Sequence, residues 1–229
     1  MRRLVPCLFA LPVVAAACGG GGGGKTTAST SAAAADPGKA AVVALFQAAA
    51  RDDRKALWNL LSKPSQKRLG PTYSDFAASS AAVIETALRP FESRKLTPFI
   101  SQNVSEQFGL VAIRNGPKAL AFPLRRENGA WKIETPGPIQ FQILGPQPGS
   151  SGPVAQVAVE IKSPGVIGDT LLFVDGKPIT PNLTPKPGDA TAFANLSKAL
   201  PPGTHVAVAY AQEGNEAGAE AWSFTATKP

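Results

Sequence analysis

The sequence predicts a multidomain chain in which an α+β domain precedes an all-β domain, behind a removable leader and a flexible tether. Apolar residues recur every three or four positions up to Phe91, and after that they alternate with polar ones. Residues 38–135 hold 15 basic and 8 acidic residues (net +7), whereas residues 136–229 hold 5 and 7 (net −2). The motif Pro136-Gly137-Pro138 lies where the charge changes, and neither residue type continues regular structure easily.

Composition excludes several classes of site. The 229 residues include one histidine and two cysteines. A zinc site, an iron–sulfur cluster, a disulfide framework and a Cys–His dyad all need more of these residues than the chain offers. We therefore expect no metal and no cofactor.

The N-terminus has the pattern of an export signal. Two arginines follow Met1, and the run from Leu4 to Ala17 carries no charge. That run is shorter than the roughly 20 residues that a helix needs to cross a bilayer. It therefore predicts a cleaved signal peptide over residues 1–17.

The end of this segment resembles a known processing site. Residues 14–19 (VAAACG) are similar to the lipobox of bacterial lipoproteins, although Ala15 stands where that family usually has leucine. The resemblance implies cleavage before Cys18, acylation of its sulfur with palmitate-type chains, and anchoring at the outer face of the cytoplasmic membrane. The alternative is an ordinary signal peptidase site after Ala17, which leaves Cys18 as a free thiol.

Residues 18–37 predict a flexible tether. Six glycines and a Thr/Ser/Ala run offer nothing to bury. The tether contains a phosphate-loop pattern, Gly19-x-x-x-x-Gly24-Lys25-Thr26. A working loop needs a buried strand before it and a helix after it, and the sequence predicts neither, so we expect no nucleotide.

Residues 38–135 predict helices followed by an antiparallel meander. Asn115-Gly116 and Asn128-Gly129 are hairpin turn signals. The first predicted helix starts at Ala40 and has Val43, Phe46 and Ala50 on its buried face. The second is opened by Asp52 or Asp53 and stopped by Ser62-Lys63-Pro64, and the third covers residues 73–91. Strands are predicted over residues 97–101, 107–113, 118–126 and 130–134. Within the strands we expect Leu110, Ala112, Leu120, Phe122 and Leu124 to share one face.

This order of elements, together with the hairpin over residues 124–133 (LRRENGAWKI), resembles the NTF2-like (cystatin-like) superfamily. The resemblance implies an α+β cone. The superfamily contains enzymes, carriers and scaffolds, so the fold does not decide the function. Its catalytic members pair an Asp with His or Tyr inside the cone, and this domain has no histidine. We therefore expect no catalytic residue and no enzyme activity.

The charged residues of this domain have structural interpretations. The candidate acids are Asp52, Asp53, Asp75, Glu85 and Glu106. We expect the three aspartates to cap helices and Glu85 to lie in solvent near Arg89. We expect Tyr73 to be a packing residue. The basic clusters are Arg51/Arg54/Lys55, Lys63/Lys67/Arg68 and Arg125/Arg126. They form either a solvated surface or a surface for anionic lipids or wall polymers, and in an exported protein we expect no nucleic acid.

Residues 138–229 predict a β-sandwich of six or seven short strands, with Pro181 to Asp189 as a crossing loop. Residues 200–208, Gly214-Asn215 and residues 221–225 resemble bacterial immunoglobulin-like surface domains. In that resemblance His205 takes the place of the corner tyrosine, which implies a structural hydrogen bond, and Trp222 belongs to the core.

The sequence predicts a membrane-anchored envelope lipoprotein that acts as a non-enzymatic binding or scaffolding module. Its partners are the membrane through Cys18 and an envelope protein or anionic polymer, and its oligomeric state is open. The first alternative is a small-molecule carrier that uses the apolar cone, and the second is an NTF2-like hydrolase or isomerase. A carrier needs a cavity of at least ~300 Å³. An enzyme needs a buried carboxylate in that cavity with a raised pKa. A scaffold needs only an exposed apolar or basic patch.

Overall fold

The computed structural model describes residues 36–91, 98–186 and 188–228. The predicted signal peptide, Cys18, the phosphate-loop pattern and the tether up to residue 35 lie outside the described residues. In the part of the chain that is described, no helix is both long enough and apolar enough to cross a membrane.

Helical elements come first. They are α1 (Pro37–Ala49), α2 (Arg54–Leu60), α3 (Lys63–Leu69), α4 (Tyr73–Asp75), a π-helical turn (Phe76–Ser80), α5 (Ala81–Leu88) and a 3-10 turn (Arg89–Phe91). Strands β1 to β4 follow: β1 (Pro98–Asn103), β2 (Phe108–Asn115), β3 (Lys118–Glu127) and β4 (Ala130–Ile133). The remaining strands are β5 (Gln140–Gly145), β6 (Ser151–Gly152), β7 (Gln156–Lys162), β8 (Thr170–Val174), β9 (Lys177–Ile179), β10 (Asn182–Lys186), β11 (Asp189–Asn195), β12 (Gly203–Glu213) and β13 (Glu216–Ala226).

Helix α1 buries a different face from the one predicted. Asp36 caps it by accepting from the backbone N–H of Gly38 at 3.1 Å. Val42 and Phe46 are buried, but the predicted Ala50 is exposed. The helix is apolar on most sides, so its sequence does not determine which face is buried. Packing of Phe46 against Phe122, with ring centroids 5.9 Å apart, determines the buried face.

The segment Ser62-Lys63-Pro64 both ends one helix and begins another. Asp53 caps α2 as predicted, accepting from the N–H of Ala56 at 2.9 Å. The Ser62 hydroxyl accepts from the N–H of Ser65 at 3.2 Å and starts α3, which the sequence did not predict. Pro64 fits this first turn because the turn needs no N–H there.

Residues 73–91 are helical as predicted, but their buried face is rotated. The π-helical turn inserts an extra residue and shifts the positions that follow it. Phe76 and Leu88 are buried, whereas Val83, which would share a face with Phe76 in a regular α-helix, is 69% exposed.

The four predicted strands form an antiparallel meander in the order β1-β2-β3-β4. Asn128 and Gly129 form a left-handed turn with φ of 50° and 81°, as their pairing predicts. The predicted common face was wrong, because Leu110 pairs with Pro123 while Val111 pairs with Phe122. Leu110 and Ala112 therefore lie on the face opposite Phe122.

The second half is a two-sheet sandwich, as predicted. One sheet has the order β10-β11-β7-β5 and the other the order β6-β13-β12-β8-β9. These orders are those of an immunoglobulin-like fold, in which strands ABED face strands CFG. The predicted crossing loop is wrong in part, because residues 182–186 form the edge strand β10, and an edge tolerates its proline.

The meander is covered on both faces. Helices pack on one face, where Val111 and Phe122 join the first core. On the other face Phe108 and Leu110 pack against Val208 and Tyr210 of β12. Burial on both faces explains why polar–apolar alternation is weak in β2.

Candidate functional site

A cavity of about 570 Å³ lies where the helices, the meander and the sandwich meet. Its walls come from α1, α5, β3, the connection between β4 and β5, and strands β5 and β13. The large apolar side chains that line it are Leu45, Leu61, Ile84, Leu88, Leu120, Phe122, Ile133, Ile139 and Phe141. Small residues, among them Ala87, Ala119 and Ala219, complete the wall.

The cavity exists because two sheets are incomplete on the same side. Strand β4 pairs with β3 only from Leu124 onward, so residues 119–123 of β3 have no strand beside them there. On β13 the short β6 pairs only at Thr225 and Ala226, which leaves residues 217–222 as a free edge. Pro136 and Gly137 turn the chain away from β3 and leave the space open.

Thr135 is a polar residue in this apolar wall. It is 9% exposed, and its N–H donates to the Ser65 hydroxyl at 2.8 Å. Its own Oγ1 is buried and has no hydrogen-bond partner among the residues that are described. Buried hydroxyl groups are normally paired, and this one is enclosed by protein rather than presented to the cavity.

Glu220 is an exposed carboxylate at the free edge of β13, on the strand face that also carries Trp222. It lines the cavity and lies two residues from Trp222, which is in the sandwich core. Burial raises the pKa of the Glu220 carboxyl above its ordinary value, although the side chain still reaches solvent. No basic side chain of the described part lies within 4 Å of it.

Glu134 also lines the cavity, but its charge is already matched. Its side chain is fully buried, and Arg68 lies 3.1 Å from its Oε2. The Arg125 guanidinium donates to Oε1, and the Ser65 hydroxyl donates to Oε2 at 3.0 Å. Glu134 is therefore a structural anion that holds two arginines.

The same arginines, Arg68 of α3 and Arg125 of β3, connect the helical and meander part to the sandwich. Arg68 Nη1 lies 3.0 Å from Glu216, and Arg125 donates to the carbonyl of Asn215. Both partners lie at the β12–β13 hairpin. These two members of the predicted basic clusters therefore serve the internal structure rather than a free anion-binding surface.

None of the five candidate acids lines the cavity. Asp53 caps α2, and Asp75 forms a capping box with Thr72. Asp52 lies before the cap in a left-handed conformation with φ of 52°, and Glu106 is exposed between β1 and β2.

The expectation for Glu85 was wrong. Glu85 is only 8% exposed, and it binds Arg54 at 3.1 Å rather than lying in solvent near Arg89. The rotation caused by the π-helical turn carries Glu85 inward. Arg54, a member of a predicted basic cluster, is therefore paired with Glu85 within the domain. Tyr73 packs against Trp58, as expected, at 6.5 Å between ring centroids.

His205 makes the predicted structural hydrogen bond. Its Nε2 lies 2.8 Å from the Pro201 carbonyl oxygen, and its Nδ1 lies 2.6 Å from the Asp175 carboxylate. Asp175 also accepts from the N–H of Val206 and pairs with Arg114 of the meander at 3.4 Å. Both ring nitrogens are occupied, so His205 has no free atom for acid–base chemistry.

A second cavity of about 590 Å³ lies beside His205, against residues 195–201. Its wall mixes Lys177, Lys198 and Asn195 with Ile179 and Leu200. Its lining contains no carboxylate other than Asp175, which is already bound to His205 and Arg114. Across the described ranges, no group of three His, Cys, Asp or Glu residues is placed to hold a metal ion.

Comparison with known proteins gives only distant similarities. No family model and no curated protein matches the chain. It is similar to the solved structure of PcoC, a methionine-rich copper resistance protein from Escherichia coli, at 16% identity and a TM-score of 0.26, over 35% of this chain and 90% of that one. It is also similar to titin Ig tandem domains A164-A165, at 6% identity and a TM-score of 0.28, over 60% of this chain and 78% of that one. Similarities at this level do not bear on function.

Sequence reasoning missed Thr135 and Glu220 as residues of the cavity. Thr135 belongs to the connection, and its neighbours come from other parts of the chain. Glu220 alternates with Gly218 and Trp222 on one face of β13, but it is itself exposed at the free edge, so the strand pattern carries no signal that sets it apart.

Proposed function

We propose that the protein is a non-enzymatic binding protein of the cell envelope that holds an apolar small molecule in the cavity between its meander and its sandwich. The observation that carries this proposal is the apolar cavity of about 570 Å³. Ligand sites commonly enclose about 300–1,000 Å³ behind apolar walls with a few polar groups. Of the roles predicted from the sequence, this geometry favours the carrier over the scaffold.

The chemistry of the wall supports binding rather than reaction. Its charged residues are Glu134, which two arginines neutralise, and Glu220. Acid–base catalysis needs a second group within hydrogen-bond reach of the reacting atoms. Thr135 has no base beside it that could activate its hydroxyl. The wall therefore offers contact area and hydrogen bonds.

The architecture supports a preformed site. Arg68 joins α3, and Arg125 joins the meander, to the β12–β13 hairpin at one end. Arg114 joins it to the Asp175 turn, where Asp175 also binds His205. Cavity walls from both halves are thereby held in place, which lowers the ordering cost of binding. We further propose that residues 38–135 are an NTF2-like domain whose cone is opened at its side toward the immunoglobulin-like domain of residues 138–229.

We also propose that the chain is a lipoprotein anchored through acylated Cys18 at the outer face of the cytoplasmic membrane. The lipobox-like residues and the glycine-rich tether support this. Replacement Cys18→Ser should release the protein from membranes, because the acyl chains are the only proposed attachment. A Cys18→Ser variant that still sediments with membranes and incorporates fatty acid would contradict the anchor.

Binding can be tested with a neutral apolar fluorophore, N-phenyl-naphthylamine, and the full chain carrying Cys18→Ser. Ala87 lines the cavity from the exposed side of α5, so Ala87→Trp should fill its mouth without disturbing the core. We expect the fluorophore to bind the parent chain and to bind Ala87→Trp at least about tenfold more weakly.

Ala82→Trp is the matched control, because Ala82 is exposed on the same helix and does not line the cavity. It should bind the fluorophore like the parent. Equal binding by all three chains, or binding by none of them, would overturn the proposed function. Native mass spectrometry of protein from its own host should in addition show a bound mass of a few hundred daltons.

A further inference from the structure

We propose, resting on the function above, that the ligand class is an amphiphile with a cationic amine head, and that Glu220 receives the head. An alkyl chain fills the apolar part of the cavity. The inference concerns the chemical class of the ligand, which the volume alone does not specify.

Charge in the wall selects against an anion. None of the residues that line the cavity is a lysine or an arginine, whereas two are glutamates. The arginines closest to the site, Arg68 and Arg125, are held by Glu134 and extend to Glu216 and Asn215. A carboxylate or phosphate head would therefore meet negative charge with no free cation to balance it.

Glu220 is placed to pair with a cation. Its register partner on β12 is Ala209, and its neighbours along the same face are Gly218 and Trp222. No basic side chain of the described ranges pairs with it. Burial raises the pKa of its carboxyl, which is the penalty that a bound ammonium would relieve.

The hydrogen-bonding capacity of an ammonium fits the Glu220 carboxylate. An ammonium has three donors and no acceptor, whereas an ionised carboxylate has acceptors only. Charge-assisted hydrogen bonds of this type are stronger than neutral ones.

The tail has a matching apolar surface in the same cavity. Leu45, Ile84, Leu120 and Phe122 line the part formed by the helices and β3. Burial of each CH₂ group of an alkyl chain against such a surface is favourable. A medium-length alkyl chain therefore provides affinity, while the head provides selectivity.

The test compares three probes with the same chain and different heads: dodecylamine, dodecanol and dodecanoate. Each displaces N-phenyl-naphthylamine from the full chain carrying Cys18→Ser at neutral pH. We expect dodecylamine to bind at least about tenfold more tightly than dodecanoate, because one charge-assisted pair is gained and one repulsion is avoided.

A variant assigns the preference to the carboxyl. Glu220→Gln should reduce the ratio of amine to acid affinity by about tenfold and leave dodecanol binding unchanged. Glu106→Gln is the control with the same change in net charge, because Glu106 is exposed and does not line the cavity. It should keep the parent ratio.

The outcomes separate this inference from the proposed function. Equal affinity for the three probes, tighter binding of the acid, or an amine preference that survives Glu220→Gln would overturn the amine head and leave the cavity function standing. Failure of all three probes to displace the fluorophore would overturn both.

Discussion

Arg68 and Glu134 form an ion pair at 3.1 Å in which the glutamate side chain is fully buried. Arg68 also reaches Glu216 at 3.0 Å, so one guanidinium links the connection after β4 to the β12–β13 hairpin. Arg125 binds the other oxygen of Glu134. A single buried carboxylate thus organises the contact between the two halves of the molecule.

Replacement Glu134→Gln should lower the free energy of unfolding by about 3 kcal/mol, because two partly buried arginines lose their anion. Chemical denaturation measures this change. Lys162→Gln at the exposed Lys162–Glu160 pair is the control, and it should cost less than about 1 kcal/mol. If Glu134→Gln cost no more than this control, the pairing would be incidental.

The hydrogen bonds of His205 to Asp175 and Pro201 give a second prediction. His205→Phe keeps ring packing against Phe224 but removes both hydrogen bonds to Asp175 and Pro201. It should lower the free energy of unfolding by about 2 kcal/mol, as measured by chemical denaturation.

A rescue variant makes this prediction specific. In His205→Tyr the hydroxyl can donate to the Pro201 carbonyl, as the corner tyrosine of immunoglobulin-like domains does. We expect it to recover part of the loss. Equal stability of the Phe and Tyr variants would show that ring packing, and not the hydrogen bond to Pro201, determines how much His205 contributes to the free energy of unfolding.

Local turn and cap chemistry made much of the fold predictable. Asn128-Gly129 and Asp175-Gly176 adopt left-handed turns, and Asp53 caps α2, because neighbouring residues alone decide these features. The alternating strands of residues 138–229 predicted a β-sandwich, and the structure gives it the strand order of an immunoglobulin-like fold.

Features that depend on distant contacts were not predictable in the same way. The π-helical turn at residues 76–80 rotates α5, so Val83 faces out and Glu85 faces in. Both faces of β2 are buried, so its pattern did not show that Leu110 faces the sandwich. The carrier alternative placed an apolar cavity inside the cone, but the sequence did not show that β5 and β13 contribute to its wall, because those strands reach it only when the sandwich covers the meander.

Tyr210 carries a buried hydroxyl between the two halves. The residue is fully buried, and its OH has no hydrogen-bond partner in the described part of the chain. Burial, with Asp169 and Glu134 nearby, raises the pKa of the Tyr210 hydroxyl above its ordinary range. Tyr210→Phe should therefore raise the free energy of unfolding by about 1 kcal/mol.

The control is Tyr210→Ala, which removes the ring from the contact with the meander and should cost about 3–5 kcal/mol. Thermal and chemical denaturation distinguish the two variants. A loss of stability in Tyr210→Phe would show that the hydroxyl is satisfied, for example by a water molecule.

Glu220 makes the stability depend on pH in a stated direction. Its pKa is raised in the folded state, so the folded chain keeps this proton to higher pH than the unfolded chain does. Stability therefore falls as pH rises from the ordinary glutamate value of about 4.3 through the raised value, and above the raised value the penalty is complete. Removal of the charge removes this penalty.

Glu220→Gln should accordingly raise Tm at about pH 7 and leave it unchanged at about pH 3, where the carboxyl is protonated in both the folded and the unfolded state. The gain should stay below about 1 kcal/mol, because solvent reaches the side chain and screens its charge. Glu106→Gln, an exposed position, should give the same Tm as the parent at both pH values. A Glu220→Gln variant that is less stable at neutral pH would mean that the carboxylate has a favourable partner, and the free anion on which amine selectivity depends would not exist.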